Sequence, residues 1–69
     1  MIEYGNELLA ARVRRRITQG ELGERAGLAV PTIVDIERNR LGIDDATYRR
    51  LLEALDQIAQ EQADVQAAA

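Results

Sequence analysis

The chain has 69 residues and a formal net charge of −3, and it contains no Cys, His, Trp or Phe. This length predicts one domain with a small core, and the missing Cys and His exclude disulfides and the usual ligands of zinc, haem and iron–sulfur clusters. A Cys or His nucleophile or base is excluded as well, so the sequence predicts neither an enzyme nor a bound cofactor or metal. Because there is no membrane-length apolar run and no secretion signal, we expect a cytoplasmic protein without a membrane partner.

Two helices are predicted in the first half of the chain. The first covers about residues 3–15, with apolar side chains at helical spacing and arginines at its end, where cations complement the helix dipole. Thr18 then stands as the N-cap of a second helix over 19–26, because Glu21 three residues later completes a T-x-x-E capping box. Gly27 follows, and its missing Cβ allows the left-handed turn that commonly ends a helix.

Two more helices are predicted in the second half. Pro31 suits only a first helical turn, so a third helix is expected at 30–38, closed by Asn39 in the left-handed region. Asp44 or Asp45 caps a fourth helix, which we expect to continue past Leu55, because no Gly or Pro follows residue 43, until the Gln- and Ala-rich end at 66–69 frays. Its apolar positions recur at three- and four-residue intervals. They are Tyr48, Leu51, Leu52, Leu55, Ile58 and Ala59.

The pair of short helices around Gly27 has the pattern of a helix-turn-helix. Two such helices cross at a steep angle when a small residue lies at the crossing and apolar residues point inward. A glycine inside a helix costs about 0.5 to 1 kcal/mol of stability relative to Ala. Because helix propensity does not favour Gly23, we interpret it as the point where the two helices approach closely. The predicted inward positions are Leu22, Ala26, Leu28, Ile33 and Ile36. The motif is therefore expected at about residues 19–38.

The stretch from Leu8 to Leu55 resembles the Xre/Cro-repressor family of helix-turn-helix DNA-binding domains. The most telling pieces are AARVRRRITQGELGERAGL, the I-x-x-IE run that ends at Glu37, and the spacing from there to Leu55. The resemblance implies an all-α, compact four- to five-helix bundle of the phage-repressor DNA-binding type, with the helix-turn-helix formed by helices 2 and 3. We expect this domain at residues 1–60, followed by a helical extension or frayed tail at 61–69.

For function, the resemblance implies a sequence-specific transcriptional regulator, a repressor that binds a palindromic operator in double-stranded DNA as a homodimer. Gln19 would hydrogen-bond a phosphate at the N-terminus of the second helix, although it can also be read as an ordinary helix-start residue. Arg12 and Glu37 match a structural ion pair of the family. The residues expected to contact DNA are Thr18, Gln19, Val30, Pro31, Thr32, Asp35, Arg38 and Arg40.

The outward face of the third helix departs from the family pattern, in which Ser, Gln, Arg or Asn read base edges. Ala29 and Val34 are also expected on this face, and neither side chain can form hydrogen bonds with bases. Val30 and Pro31 suit contact with a thymine methyl, while Thr32 can hydrogen-bond and Asp35 can accept from a cytosine amino group. Direct base readout is therefore expected to be poor.

Arginines offer a second source of DNA affinity. Arg38, Arg40 and the cluster at 14–16 are expected to contact the DNA backbone, with DNA shape adding specificity. The 14–16 cluster has an equally good interpretation as a solvated helix end that complements the dipole. Binding to DNA should in any case fall steeply with salt.

A second hypothesis keeps the fold but makes it a protein-interaction module, such as an antitoxin or phage regulator that binds a protein partner. Val30, Pro31 and Val34 would form the contact surface. Residues 1–43 hold seven Arg against six acidic residues, whereas 44–69 hold two Arg against six. The acidic C-terminal third would suit a basic partner.

Dimerisation is expected because helix-turn-helix half-sites lie one turn of DNA apart. Leu55, Ile58, Gln62 and Val65 would form a pairing stripe between two fourth helices. The other interpretation is a passive, frayed tail. Truncation after Ala54 is expected to reduce dimerisation if the stripe is real.

Overall fold

A computed structural model of the chain describes residues 3–68. Within that range the fold is all-helical and holds four helices, the smaller of the two predicted numbers: α1 (Gly5–Arg14), α2 (Gln19–Ala26), α3 (Val30–Glu37) and α4 (Asp45–Ala68). The bounds of α2 are as predicted, and α3 ends one residue earlier than expected. Helix α1 is shorter at both ends. At its C-terminal end the backbone leaves helical geometry at Arg15 and turns left-handed at Arg16, with φ 57°.

Local signals explain where α2 begins and ends. The Thr18 hydroxyl accepts a hydrogen bond from the Glu21 backbone N–H at 3.0 Å, and the Glu21 carboxylate accepts one from the Thr18 N–H at 3.0 Å. This reciprocal pair is the predicted capping box. Gly27 ends the helix with φ 73°, which confirms the predicted left-handed turn.

The signals around α3 and α4 are equally local. Pro31 lies in the first turn of α3, and Asn39 follows the helix with φ 59°, as predicted. Of the two candidate caps of α4, Asp44 accepts the Thr47 backbone N–H at 2.7 Å. Helix α4 has 24 residues and ends at Ala68, which confirms that it continues past Leu55, and it runs beyond Gln66, where fraying was expected to begin.

The core lies between the four helices and includes side chains from two connecting segments, Ile17 and Ile43. The largest buried side chains are Leu8, Ile17, Leu22, Ile33, Ile36, Leu51 and Leu55. Helix α4 reaches beyond this core, since residues 60–66 are all exposed. Within residues 3–68, no helix combines the length and the apolar composition that crossing a membrane requires.

The burial of α4 corrects the predicted pairing stripe. Leu55 is fully buried and Ile58 is only 7% exposed, because both pack in the core of their own chain. Neither side chain is available to a second subunit. Gln62 and Val65 remain exposed beyond the core, and Val65 is 71% exposed.

Candidate nucleic-acid interface

The crossing of α2 and α3 is as tight as the sequence predicted. A Cβ added to Gly23 would lie 2.6 Å from the Leu28 carbonyl oxygen, well inside any tolerable contact. The Leu28 backbone N–H also donates to the Gly23 carbonyl at 2.8 Å, which draws the turn against α2. Leu22, Ile33 and Ile36 are buried beneath this crossing, and the other two predicted inward residues are half-buried.

An ion pair holds the inner side of α3 against α1. Arg12 donates from Nε to Glu37 Oε2 at 2.7 Å and from Nη2 to Glu37 Oε1 at 3.0 Å. Its Nη1 donates to the Ile17 carbonyl at 2.9 Å. This is the pair that the family resemblance implied, and its bidentate geometry joins the two helices in one orientation.

Gln19 belongs to the same network, which the sequence did not reveal. Its side-chain amide is half-buried, and Nε2 donates to Glu37 Oε1 at 3.0 Å. The nitrogen must face this oxygen, because a carboxylate can only accept. The first residue of α2 is therefore positioned by the last residue of α3, over 18 positions of sequence.

The outward face of α3 is centred on Pro31 and Asp35, one helical turn apart and opposite the buried side chains of the helix. Val30 is 42% exposed and Val34 is half-buried, and both flank that centre. Thr32 is half-buried on the other flank. The face is thus mainly aliphatic, with one carboxylate.

Two arginines follow α3 directly. Arg38 is exposed, and it forms no ion pair within 4.0 Å in the part of the chain that the structure describes. Arg40 is 65% exposed, and its Nη1 lies 4.0 Å from Asp35 Oδ1. The chain is held close there, since the Arg40 backbone N–H donates to the Asp35 carbonyl at 2.8 Å.

The arginine cluster at 14–16 is divided by the fold. Arg15 donates to Asp56 of α4 at 3.0 and 3.2 Å and to the Ala11 carbonyl at 2.9 Å, so its guanidinium ties α1 to α4. Arg14 and Arg16 remain exposed. The tie from Arg15 to Asp56 is neither of the two roles predicted for the cluster.

Another ion pair that the sequence did not reveal joins α2 to the projecting part of α4, the residues 60–66 that extend beyond the core. Arg25 donates to the two carboxylate oxygens of Glu61 at 2.5 and 2.6 Å. This hydrogen bonding lowers the pKa of Glu61 and raises that of Arg25. The only hint in the sequence was the acidity of the C-terminal third, which does not identify the partner.

Comparison with known families agrees with this geometry. The sequence profile of a family described as helix-turn-helix matches residues 8–58, which is most of the chain and includes all of α2 and α3. Comparison with curated proteins gave no match, and neither did comparison with solved structures. The matched span, the tight α2–α3 crossing and the Arg12–Glu37 pair together place this chain in the Xre/Cro-type helix-turn-helix family of DNA-binding regulators.

Proposed function

We propose that this protein is a transcriptional repressor that binds a palindromic operator as a homodimer, with α3 in the major groove of each half-site. The observation that carries this proposal is the contrast between the two sides of α3. Its inner side is held by buried apolar contacts and the Arg12–Glu37 pair. Its outer side is left uncovered by the other described helices, as a helix that enters a groove requires.

The N-terminus of α2 is the proposed phosphate-binding element. The unpaired backbone N–H groups and the dipole of a helix N-terminus favour an anion. Glu37 engages one hydrogen of the Gln19 amide nitrogen, and we assign the second to a phosphate oxygen. The Thr18 hydroxyl accepts from Glu21, so its own hydrogen is suited to the same phosphate.

Arg38 and Arg40 are the proposed cationic contacts to the backbone. Both are exposed at the end of α3, where a recognition helix leaves the groove. The proposed dimer uses the projecting part of α4, where Val65 is the most exposed of the large hydrophobic side chains within residues 3–68. Two copies would present two α3 helices at the spacing of operator half-sites.

Selection of binding sites from random duplexes with the purified protein tests the proposal. We expect one enriched palindrome, with affinity that falls steeply as salt increases. Arg38→Ala should weaken binding and reduce the magnitude of the log–log salt slope by about 0.9, the value for one phosphate contact. Arg15→Ala is the matched control, since its guanidinium is held by Asp56 and should leave the slope unchanged. Failure to enrich any site contradicts the proposal.

One feature favours a second candidate function, that of a protein-interaction module such as an antitoxin or phage regulator. A groove of about 640 Å³ lies between α2 and the projecting part of α4. Its lining includes Glu21, Glu24 and Glu61 with one cation, Arg25, and it also includes the aliphatic side chain of Val65. This combination suits a basic amphipathic segment of another protein.

Titration with a synthetic Leu- and Lys-rich amphipathic peptide, followed by amide chemical shifts, tests this second function. Shifts confined to the groove support it, and they should be absent with a Leu- and Glu-rich control peptide. A spectrum that does not change with the basic peptide contradicts it.

A further inference from the structure

The side chains that α3 presents outward have little capacity for hydrogen bonding. Its aliphatic side chains are Val30, Pro31 and Val34. Pro31 is exposed, and Val30 is 42% exposed. Asp35 can only accept hydrogen bonds while it is ionised, and Thr32 lies half-buried at the edge of the face. A helix of this composition cannot read base edges through paired donors and acceptors.

The major groove has one apolar feature that such a helix can recognise. Thymine carries a C5-methyl group there, cytosine carries only a hydrogen at C5, and the remaining groups that the groove presents are hydrogen-bond donors and acceptors. Contact between a methyl group and an aliphatic side chain removes apolar surface from water, which is favourable. Contact between the same side chain and a polar edge leaves a desolvated group without a partner, which is unfavourable.

We propose that α3 of this protein recognises the C5-methyl groups of pyrimidines, so that its site preference depends on methyl contacts more than on hydrogen bonds. The inference rests on the proposed DNA-binding function and extends it to the chemical feature that is read. Val30 and Val34 are the proposed methyl-contacting side chains, because they lie one helical turn apart along one flank of the outward face.

Asp35 extends the proposal to cytosine. A carboxylate pairs with a donor, and the cytosine N4 amino group is such a donor in the major groove. The Arg40 guanidinium lies 4.0 Å from this carboxylate, which reduces the repulsion that Asp35 meets among phosphates. Because Pro31 lies one helical turn from Asp35 at the centre of the outward face, one base that carries both a C5-methyl and an N4 amino group suits this pair. That base is 5-methylcytosine, and we expect it to bind better than cytosine.

The test begins from the duplex obtained by site selection. Each thymine is replaced in turn by deoxyuridine, which removes only the methyl group, and each cytosine by 5-methylcytosine, which adds it. At a contacted position we expect the loss of a methyl to weaken binding by about 4-fold, the factor that corresponds to burial of one such group. Addition of a methyl at the cytosine that faces Asp35 should strengthen binding by a similar factor.

Two variants assign the effect to α3. Val34→Ala should reduce the affinity ratio between the thymine and deoxyuridine duplexes, and Val30→Ala, at a more exposed position, does the same with less risk to folding. Arg38→Ala is the control, because loss of a phosphate contact weakens both duplexes equally and leaves the ratio unchanged.

The outcomes separate this inference from the proposed function. Equal affinity for thymine and deoxyuridine duplexes, with binding itself intact, overturns the methyl readout and leaves the DNA-binding function standing. A selection that yields no site contradicts the function itself. A ratio that is unaffected by both valine variants overturns the assignment to α3.

Discussion

Arg12 and Glu37 form a bidentate ion pair between α1 and α3, and their side chains are only 13% and 4% exposed. Each partner makes one further hydrogen bond, Arg12 to the Ile17 carbonyl and Glu37 from the Gln19 amide. The charges are thus compensated within the fold. Because the same carboxylate positions Gln19, the pair connects the stability of the bundle to the proposed phosphate contact.

Removal of one member of this pair should be costly. Arg12→Ala leaves the Glu37 carboxylate buried without its cation, and we expect a loss of about 3 to 5 kcal/mol in the free energy of unfolding. Urea denaturation followed by circular dichroism measures it. Arg15→Ala removes a more exposed pair with Asp56 and should cost less than about 1 kcal/mol. Similar losses in the two variants would contradict the special role of Arg12.

Two glycines of α2 should respond to Ala in opposite directions. Gly23→Ala brings a Cβ to 2.6 Å from the Leu28 carbonyl oxygen, so the α2–α3 crossing must shift, at a cost of about 1 to 3 kcal/mol. At Gly20 the nearest atom to an added Cβ is the Thr18 hydroxyl oxygen at 3.8 Å. Gly20→Ala should therefore stabilise the protein by about 0.5 to 1 kcal/mol. Thermal unfolding compares them, and shifts of the same sign would be evidence against the tight crossing.

The N-cap of α4 should make stability depend on pH. Hydrogen bonds from Thr47, through its side chain and its backbone, lower the pKa of Asp44. A carboxyl whose pKa is lower in the folded than in the unfolded state stabilises the protein fully at pH values above its unfolded-state pKa, about 3.9 for Asp. That contribution is lost as the pH falls through the folded-state pKa. Stability should therefore decrease on acidification below about pH 4.

Asp44→Asn isolates this effect. Asn retains an N-cap oxygen but does not titrate, so we expect a weaker dependence of the unfolding midpoint on acid pH with little change at neutral pH. Glu53→Gln, an exposed substitution within α4, is the control and should keep the dependence of the original protein. An unchanged acid dependence in Asp44→Asn would show that this cap does not contribute.

The projecting part of α4 can be tested for dimerisation without damage to the core. A chain that ends at Ala54 lacks Leu55 and Ile58 and should fail to fold, because both are buried. A chain that ends at Gln60 keeps them, and we expect it to be folded but monomeric by sedimentation. Val65→Asp should weaken the dimer in the same way, whereas Val13→Asp, at an exposed valine of α1, should not. If the chain that ends at Gln60 has the same oligomeric state as the original protein, the removed segment does not contribute to dimerisation.

Both ends of α2 and the starts of α3 and α4 were predictable because the signals act over a few residues. The Thr18–Glu21 capping box, the left-handed Gly27 and Asn39, and the Asp44 cap each satisfy backbone groups or backbone angles within one turn. The close approach at Gly23 was also predictable, since a glycine inside a short helix has few explanations other than close packing. These features were enough to predict four helices and the helix-turn-helix among them.

The ion-pair partners of the long side chains and the buried face of α4 depend on the packing of the helices. Arg15 meets Asp56 over 41 positions and Arg25 meets Glu61 over 36, and no local pattern distinguishes those partners from other acidic residues of α4. Leu55 and Ile58 had the spacing of a dimer stripe, but the packing of α4 on its own bundle buried both. Neighbouring backbone groups and angles set the bounds of α2 and the turn of the motif, so the order of the residues was sufficient to predict them. Only the packed bundle decided the orientation of Gln19, the ion pairs to α4 and the face of α4 left exposed, because these depend on how the helices approach one another.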